Sequence, residues 1–157
     1  MKIHNLNRNE LNAVILNVGV AQNVSQKIES DNIFLQNEGG EKEGFIYHIA
    51  INDSEIIGYC FSSGPLKNGT RHIRNIYVAK LFRRNGVAKN LLIEILNNAI
   101  LQSHKRIKAE VSALTDEHKS LHRLFKRFKK HYENQIEIAW VYSNEEFGKY
   151  KNYDFQL

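Results

Sequence analysis

The spacing of apolar residues changes sharply within the segment 71–100, and this change predicts a strand, a loop and a helix in succession. The run Ile73–Val78 has the composition of a strand, and a polar, basic loop follows from Ala79 to Asn85. A helix is predicted from Gly86, because apolar residues then recur at helical spacing, as Val87, Leu91, Leu92, Ile95, Leu96 and Ala99. We expect the rest of the chain to be organised around this unit.

Shorter patterns predict the elements before this unit. Lys2–Leu6 has the pattern of a first strand, and Asn7 or Asn9 is placed to cap a following helix. A second short helix is expected near Val20–Ser30, followed by a charged loop over Asn37–Gly44. Strand formers on either side of a turn at Asn52-Asp53 then predict a hairpin, Phe45–Ile51 with Glu55–Phe61.

The elements after the central helix complete a layered domain. We expect a strand at Ile107–Ser112, a helix beginning at Thr115 or Asp116, and two strands at Gln135–Tyr142 and Tyr150–Leu157. This order of strands and helices predicts one α/β domain over residues 1–157, with a mixed sheet between layers of helices.

The junction between the central strand and helix favours an anion. The first N–H groups of a helix have no partner within the helix, and the helix dipole places partial positive charge at the same end. Gly86 and Ala88 are small enough to let ligand oxygens approach, and Arg83, Arg84 and Lys89 add charge. A phosphate or diphosphate is the expected ligand, and an ordinary strand-to-helix turn with solvated arginines is the alternative.

Composition narrows the class of protein without selecting a partner. The 157 residues carry a formal charge of +5 with a pI near 9.3, which suits a polyanionic cofactor, an acidic protein or a nucleic acid. The single cysteine, Cys60, lies in an apolar run and is expected in the core. No signal-peptide core, 18-residue apolar stretch or metal-ligand spacing is present, so we expect a cytoplasmic protein without a metal.

The junction also resembles a known family motif. Arg83-Arg84-Asn85-Gly86-Val87-Ala88 fits the pattern Arg/Gln-x-x-Gly-x-Gly/Ala, which is similar to the diphosphate loop of the GNAT N-acetyltransferase superfamily. The resemblance implies a three-layer fold with a mixed, mostly antiparallel sheet flanked by helices. It also implies an acyltransferase that uses acetyl-CoA as co-substrate and moves the acetyl group to a primary amine by direct attack. Domains of this family often dimerise, so a homodimer is a further expectation.

The same resemblance assigns the residues that would hold the cofactor. The pantetheine arm is expected along the central strand, at Ile76, Tyr77 and Val78. The diphosphate is expected on the loop and the first helical turn, at Arg83, Arg84, Asn85, Gly86, Val87, Ala88 and Lys89.

Two histidines are candidates for proton transfer. His72 occupies a position near the start of the central strand where family members carry a base, and Glu55 and Glu110 are weaker candidates. The family's proton-donating tyrosine is replaced here by Phe125, and His122 lies one turn earlier on the same helix. His118, Tyr132, Tyr142 and water are the other possible proton donors.

The helix segment 119–130 carries six cations and no acid. Its charged face is either simply solvated, or contacts the phosphates of coenzyme A, or binds an acidic or nucleic-acid partner. The spacing of Phe125 and Phe128 places both in the core rather than beside these cations. Two alternatives to an acetyltransferase therefore remain, a basic RNA-associated binding module and a GNAT-like protein that binds acyl-CoA without turnover.

Overall fold

The computed structural model describes residues 1–20, 24, 28, 45–65, 67–112, 116–146 and 149–154. Eight strands in these residues form one sheet, namely β1 Lys2–Leu6, β2 Gly19–Val20, β3 Ile46–Asn52, β4 Glu55–Ser63, β5 Thr70–Val78, β6 Arg106–Ser112, β7 Glu137–Glu146 and β8 Lys149–Asp154. The described helices are α1 Arg8–Asn17, α2 Val87–Leu101 and α3 Asp116–Tyr132, with a 3-10 turn at Lys80–Phe82.

The sheet is mixed and mostly antiparallel, as the sequence predicted. Its strands follow the order β1-β3-β4-β5-β6-β7-β8, and the short β2 pairs with the start of β4. Antiparallel pairing joins β1 to β3, β3 to β4, β4 to β5 and β7 to β8. The central strand β5 is parallel to β6, and β6 is parallel to β7. The α/β class is therefore confirmed.

Helices cover both faces of the sheet and define two cores. On one face, α2 and α3 bury their apolar sides against β4–β7, with Leu91, Leu92, Phe125, Ile138 and Trp140 among the buried side chains. On the other face, Leu11 of α1 and the buried Val24 and Ile28 pack with aromatic residues of β3 and β4, Tyr47, Tyr59 and Phe61. This arrangement confirms the expected three layers and fixes which face each strand residue occupies.

The predicted boundaries hold closely near the amino terminus. Asn7 rather than Asn9 caps α1, since its side chain accepts a hydrogen bond from the Glu10 N–H at 2.9 Å while the Glu10 carboxylate accepts one from the Asn7 N–H. Only three residues of the helix expected near Val20–Ser30 are described: Val24 and Ile28 are helical, whereas Val20 pairs with β4 in β2, so the prediction was wrong for Val20. The loop expected over Asn37–Gly44 lies wholly outside the described residues.

The predicted boundaries also hold in the second half of the chain, with small shifts. The α3 helix begins at Asp116, one of its two expected starts, and β7 continues to Glu146, four residues beyond the expected end. The last strand, β8, covers Lys149–Asp154, and the final three residues lie outside the described part. No helix in the described ranges is both long and apolar enough to cross a membrane.

A chain of polar side chains, half-buried at Asn5 and Glu94 and buried at His48, Ser62 and Arg71, crosses the sheet beneath α2. The Asn5 amide donates to Glu94 at 3.1 Å, and its carbonyl oxygen lies 2.7 Å from His48 Nδ1. Because that oxygen only accepts, Nδ1 carries the proton and His48 Nε2 accepts from the Ser62 hydroxyl at 2.7 Å. Arg71 Nε in turn donates to Ser62 Oγ at 2.9 Å. Burial, with a smaller contribution from Arg71, lowers the pKa of His48 to about 3, so its ring is neutral.

Candidate functional site

A gap opens in the middle of the sheet where β5 leaves β6. The two strands pair only from Thr70 to Ile73, opposite Arg106 to Ala109. Beyond that point β5 continues beside β4 to Val78, while β6 continues beside β7 to Ser112. The second half of β5 therefore has a sheet neighbour on one side only among the described strands.

An extra residue in β5 marks the start of the gap. Cys60 of β4 lies opposite Ile76, whereas Ser62, two residues later, lies opposite Ile73, three residues earlier. The additional residue falls at Arg74-Asn75 and makes a β-bulge. Bulges bend a strand and increase its twist, and they are frequent beside active sites. The bend accounts for the separation of β5 from β6.

The backbone of β5 directs polar groups into the gap. The Ala79 N–H donates to the Ile57 carbonyl at 2.8 Å, so this pair faces β4. The N–H and C=O groups of successive residues point to alternate sides of a strand. Those of Ile76 and Val78 therefore face away from β4, toward the gap. These are two of the three residues predicted to hold a pantetheine arm, and the geometry suits that role, which stays a prediction.

Arg83 is anchored at the mouth of the gap. Its Nε donates to the Val78 carbonyl at 2.8 Å, and its guanidinium lies 5.5 Å from the centre of the Tyr77 ring. The side chain is half-buried, after the 3-10 turn that ends at Phe82. The Val78 carbonyl, which is predicted to bind the pantetheine arm, thus already accepts a hydrogen bond from Arg83. A carbonyl oxygen has two lone pairs, so it can accept a second hydrogen bond from a ligand.

The loop after Arg83 is exposed and adopts an unusual backbone. Arg84 and Gly86 both have positive φ angles, 63° and 80°, and Arg84, Asn85 and Gly86 are all exposed. A Cβ atom built on Gly86 would meet no atom within 4 Å. The position beside Gly86 is therefore open and has room for a ligand oxygen, which is compatible with the predicted diphosphate site.

The first turn of α2 begins next to Gly86 and leaves backbone N–H groups without a partner in the helix. Gly86 is the N-cap and provides no side-chain hydrogen bond, and the first helical bond runs from the Asn90 N–H to the Gly86 carbonyl at 2.9 Å. The N–H groups of Val87, Ala88 and Lys89 precede that bond, so the helix itself gives them no partner. Val87 is buried and anchors the turn, while Lys89 is exposed. The residues present fit a diphosphate.

His72 lies on β5 just before the gap. It is opposite Ser63 of β4 and Lys108 of β6, and alternation places it on the other face of the sheet from Arg71 and Ile73. Burial, followed by the positive charges of Arg74 and Lys108, lowers the pKa of His72 to about 4. The ring is therefore neutral at pH 7, the state in which it accepts a proton.

His122 faces the core on α3 and contacts Trp140 of β7. The Trp140 indole N–H donates to His122 Nδ1 at 2.9 Å, and the rings meet edge to face with centres 5.6 Å apart. Burial, with a smaller contribution from Lys126, lowers the pKa of His122. The hydrogen bond fixes the ring proton on Nε2 and favours a structural role for His122. Its role as proton donor stays a prediction.

The other candidates for proton transfer are dispersed. Phe125 is buried and stacks on Trp140 with centres 6.3 Å apart, which confirms its predicted core position. Tyr132 is also buried, at the end of α3, and Glu55 lies at the turn between β3 and β4. The side chains of Glu110, His118 and Tyr142 lie outside the described part of the chain.

Cys60 and the basic helix occupy the surroundings expected for them. Cys60 is fully buried and burial raises the pKa of its thiol, which confirms the prediction of a core residue.

Five cations of α3 are exposed and are called the basic face below, namely Lys119, Arg123, Lys126, Arg127 and Lys130. Lys129 is half-buried, 5.4 Å from the Trp140 ring centre. Among the described side chains, no cluster of His, Cys, Asp or Glu has the arrangement of a metal site.

Sequence reasoning missed two features that shape this site. The bulge at Arg74-Asn75 leaves no local signal, because it depends on register with β4. The polar chain does leave one, because His48 and Ser62 interrupt two strands that are otherwise largely apolar. Polar residues at buried strand positions require hydrogen-bond partners, so they could have been predicted to meet.

Comparison with known proteins identifies similar sequences and folds. The family model described as "Acetyltransferase (GNAT) family" matches residues 13–129. An aminoglycoside acetyltransferase from an uncultured soil metagenomic sample is 19% identical with a TM-score of 0.58, over 81% of this chain and 89% of that one. A ribosomal-protein-alanine N-acetyltransferase from Brucella melitensis biovar Abortus 2308 is 14% identical with a TM-score of 0.58, over 78% and 89%.

A third solved structure contains coenzyme A. It is the aminoglycoside N-acetyltransferase AAC(6')-Iy in complex with CoA, 19% identical with a TM-score of 0.52, over 78% of this chain and 87% of that one. At these identities the structures show a shared fold. No curated protein matches the sequence.

Proposed function

The chain belongs to the GNAT family of acetyltransferases, and from this premise we propose that it moves the acetyl group of acetyl-CoA to a primary amine. The observation that carries the proposal is the continuous track from the gap beside β5 to the open end of α2. Backbone groups that face away from a sheet neighbour, an anchored arginine and a helix N-terminus without a side-chain cap follow one another within Ile76–Lys89.

Each part of the track has a proposed role. The N–H and C=O groups of Ile76 and Val78 pair with the amides of the pantetheine arm as an added strand would, and Tyr77 supports Arg83 through its ring. Arg83, Arg84 and Lys89 supply positive charge to the diphosphate. Its oxygens accept hydrogen bonds from the backbone of the loop and first helical turn, at Asn85, Gly86, Val87 and Ala88.

Acetyl-CoA supplies an activated acyl group, and the protein's own residues orient the acceptor and move its proton. In direct attack a nitrogen–carbon bond forms, the carbon–sulfur bond breaks, and no covalent enzyme intermediate arises. We assign His72 to accept the amine's proton, directly or through water, because its lowered pKa keeps it neutral. The same lowered pKa makes it a weak base, so the acceptor amine must arrive largely deprotonated.

The leaving thiolate requires a proton from another source. His122 and water are the two proposed donors, and the hydrogen bond from Trp140 to His122 favours water. A thiol has a pKa near 8.5, so water at neutral pH is sufficient to protonate it. No tyrosine takes this role at the family position, since Phe125 has no proton to donate.

A cofactor-binding experiment followed by a transfer assay tests the proposal. Calorimetry with acetyl-CoA should show one site per chain, and free-thiol release should then rise on addition of an accepted amine. The amine panel includes an aminoglycoside and a peptide with an N-terminal alanine, because the structural neighbours include acetyltransferases of both kinds. Absence of acetyl-CoA binding at millimolar ligand would remove the proposal.

One observation favours a second candidate, a protein that binds acyl-CoA without turnover. The family's proton-donating tyrosine is replaced by Phe125, which is buried against Trp140 rather than placed at the gap. Tight acetyl-CoA binding with no thiol release across the whole amine panel would favour this candidate. Thiol release that depends on one amine would exclude it.

A further inference from the structure

The basic face of α3 concentrates charge in a single line. Its residues, Lys119, Arg123, Lys126, Arg127 and Lys130, are separated by steps of three, four or one positions, which places all five on one side of a helix. All five are exposed, and the segment from Lys119 to Lys130 contains no acidic residue. The line of charge is therefore uninterrupted along three turns.

The core holds this face toward solvent. Leu124, Phe125 and Phe128 on the opposite side of α3 are buried against the sheet, so the helix cannot rotate its cations inward. Lys129 is set apart from the line, beside the Trp140 ring. The five cations thus project from one fixed helix face rather than from a flexible tail.

The length of the array suits a short stretch of a nucleic-acid duplex. Eleven residues of α-helix rise about 16 Å. A duplex carries one phosphate about every 1.7 Å of its axis when both strands are counted, so the same length has about ten phosphates around its circumference. About half of these lie on the side that faces the helix, which gives about five phosphates for five cations.

The surroundings of the array point to backbone contacts on a duplex. Single-stranded binding relies on exposed aromatic rings that stack on bases, and both phenylalanines of the segment are buried. Protein partners usually bury an apolar centre, and none of the exposed large hydrophobic residues of the described chain lies on α3. The charge that this face carries between Lys119 and Lys130 is therefore positive throughout.

We propose that the basic face of α3 binds the phosphate backbone of a double-stranded nucleic acid without reading its sequence. The five cations lie on α3, whereas the proposed acetyl-CoA track runs along β5 and the start of α2, so the proposal does not depend on the transferase activity. Double-stranded RNA and DNA share the chemistry, and the two arms of the experiment below distinguish them.

Salt dependence of binding tests the proposal directly. Fluorescence anisotropy with labelled 20-base-pair RNA and DNA duplexes, from 50 to 200 mM salt, gives the number of phosphates contacted. Five contacts predict a slope of log K against log salt near −4.5, a loss of about 500-fold over this range. Stronger binding of either duplex identifies the source, whereas no binding of both duplexes at 50 mM salt overturns the proposal.

A matched pair of variants separates the array from overall charge. Arg123→Glu/Arg127→Glu and the control Lys2→Glu/Lys67→Glu each change the formal charge from +5 to +1, and all four cations are exposed. The first variant should bind duplex at least about 10-fold more weakly, with the salt slope shallower by about 2. The control should keep the wild-type slope, and equal weakening in both variants overturns the proposal. Circular dichroism and acetyl-CoA calorimetry confirm that both variants are folded.

Three competitors distinguish the rival occupants of this surface. Single-stranded RNA of the same length and poly-glutamate of matched charge should displace the duplex only weakly. Saturating coenzyme A should leave duplex binding unchanged. Stronger binding of the single strand, equal binding of poly-glutamate, or displacement by coenzyme A each overturns the assignment to a duplex on a separate surface.

Discussion

Replacing Gly86 with alanine separates the two properties that suit this residue to a diphosphate cradle. Its φ of 80° lies in the left-handed region, which disfavours any residue with a Cβ atom. Its missing Cβ faces open space, with no atom within 4 Å. In the free protein alanine therefore introduces backbone strain without a clash. In the complex its methyl group would occupy the space proposed for phosphate oxygens.

The two effects have different magnitudes and different readouts. Left-handed backbone costs a non-glycine residue about 1–2 kcal/mol. At about 2–4 °C per kcal/mol for a chain of this size, the melting temperature should fall by about 2–8 °C. Loss of one hydrogen bond to a charged phosphate costs about 1.5–3 kcal/mol of binding, which is about 10- to 140-fold in affinity for coenzyme A.

Two further variants assign each effect to its cause. Gly69 has a similar φ of 77° but lies before β5, and the nearest atoms to a Cβ there are side-chain carbons of Lys105 at 3.1 to 3.3 Å. Gly69→Ala should lower the melting temperature at least as much and leave coenzyme A binding unchanged. Gly86→Asn should be less strained, since asparagine tolerates the left-handed region, yet should bind coenzyme A no better than Gly86→Ala.

Calorimetric titration with coenzyme A, together with thermal unfolding of each variant, provides the comparison. If Gly86→Asn bound coenzyme A with wild-type affinity, the space beside Gly86 would not be where the diphosphate lies. If Gly69→Ala lost affinity as well, general destabilisation would explain the loss at Gly86. Either result would refute the reasoning from the open Cβ position.

Three histidine variants supply the remaining predictions. Because the pKa of His72 is about 4, the wild-type transfer rate, corrected for the protonated fraction of the acceptor, should stay flat from pH 8 to about 5, and His72→Gln should lower it about 100-fold or more. An unchanged rate in His72→Gln would contradict the assignment of His72 as the base, whereas a wild-type midpoint near 6.5 that this variant abolishes would contradict its lowered pKa. His122→Ala removes the acceptor of the Trp140 indole N–H, so urea unfolding should show a loss of about 1–3 kcal/mol with an unchanged pH profile of transfer. A large fall in kcat without loss of stability would instead support His122 as the proton donor. The folded-state pKa of His48 is about 3, so the unfolded chain gains a proton near pH 6.5 that the folded chain does not, and stability is lost as pH falls. Between pH 7 and 5 the wild type should lose about 2 kcal/mol more than His48→Asn in urea unfolding, and equal losses would show that this ring is not held neutral.

The central motif was predictable because its signals are local. The period of apolar residues changes at Gly86, and glycine, arginines and a helix start lie within a few positions of one another. The cap of α1 was also local, since Asn7 and Glu10 have the spacing of a capping box. Even there the sequence left Asn9 as an alternative, because both asparagines precede the same apolar face.

The shape of the candidate site depends on register between distant strands, and this was not predictable. The bulge in β5 exists only relative to β4, and the gap exists only because Ile73 is the last β5 residue to pair with β6. The contact between Trp140 and His122 likewise joins two elements whose packing no local pattern fixes. Apolar spacing located Phe125 in the core because helix periodicity alone decides which side is buried.

The separation of β5 from β6 also bears on how the protein avoids unwanted association. An unpaired strand edge normally recruits a strand from another chain, which leads to aggregation. Here that edge lies between two strands that remain joined at Thr70–Ile73, so an approaching polypeptide would have to enter a wedge closed at one end. A slender, unbranched molecule can enter where a second strand with its side chains cannot. The interior position of this edge thus allows the sheet to direct the backbone groups of Ile76 and Val78 away from β4 without the protective charges or prolines that outer edges require.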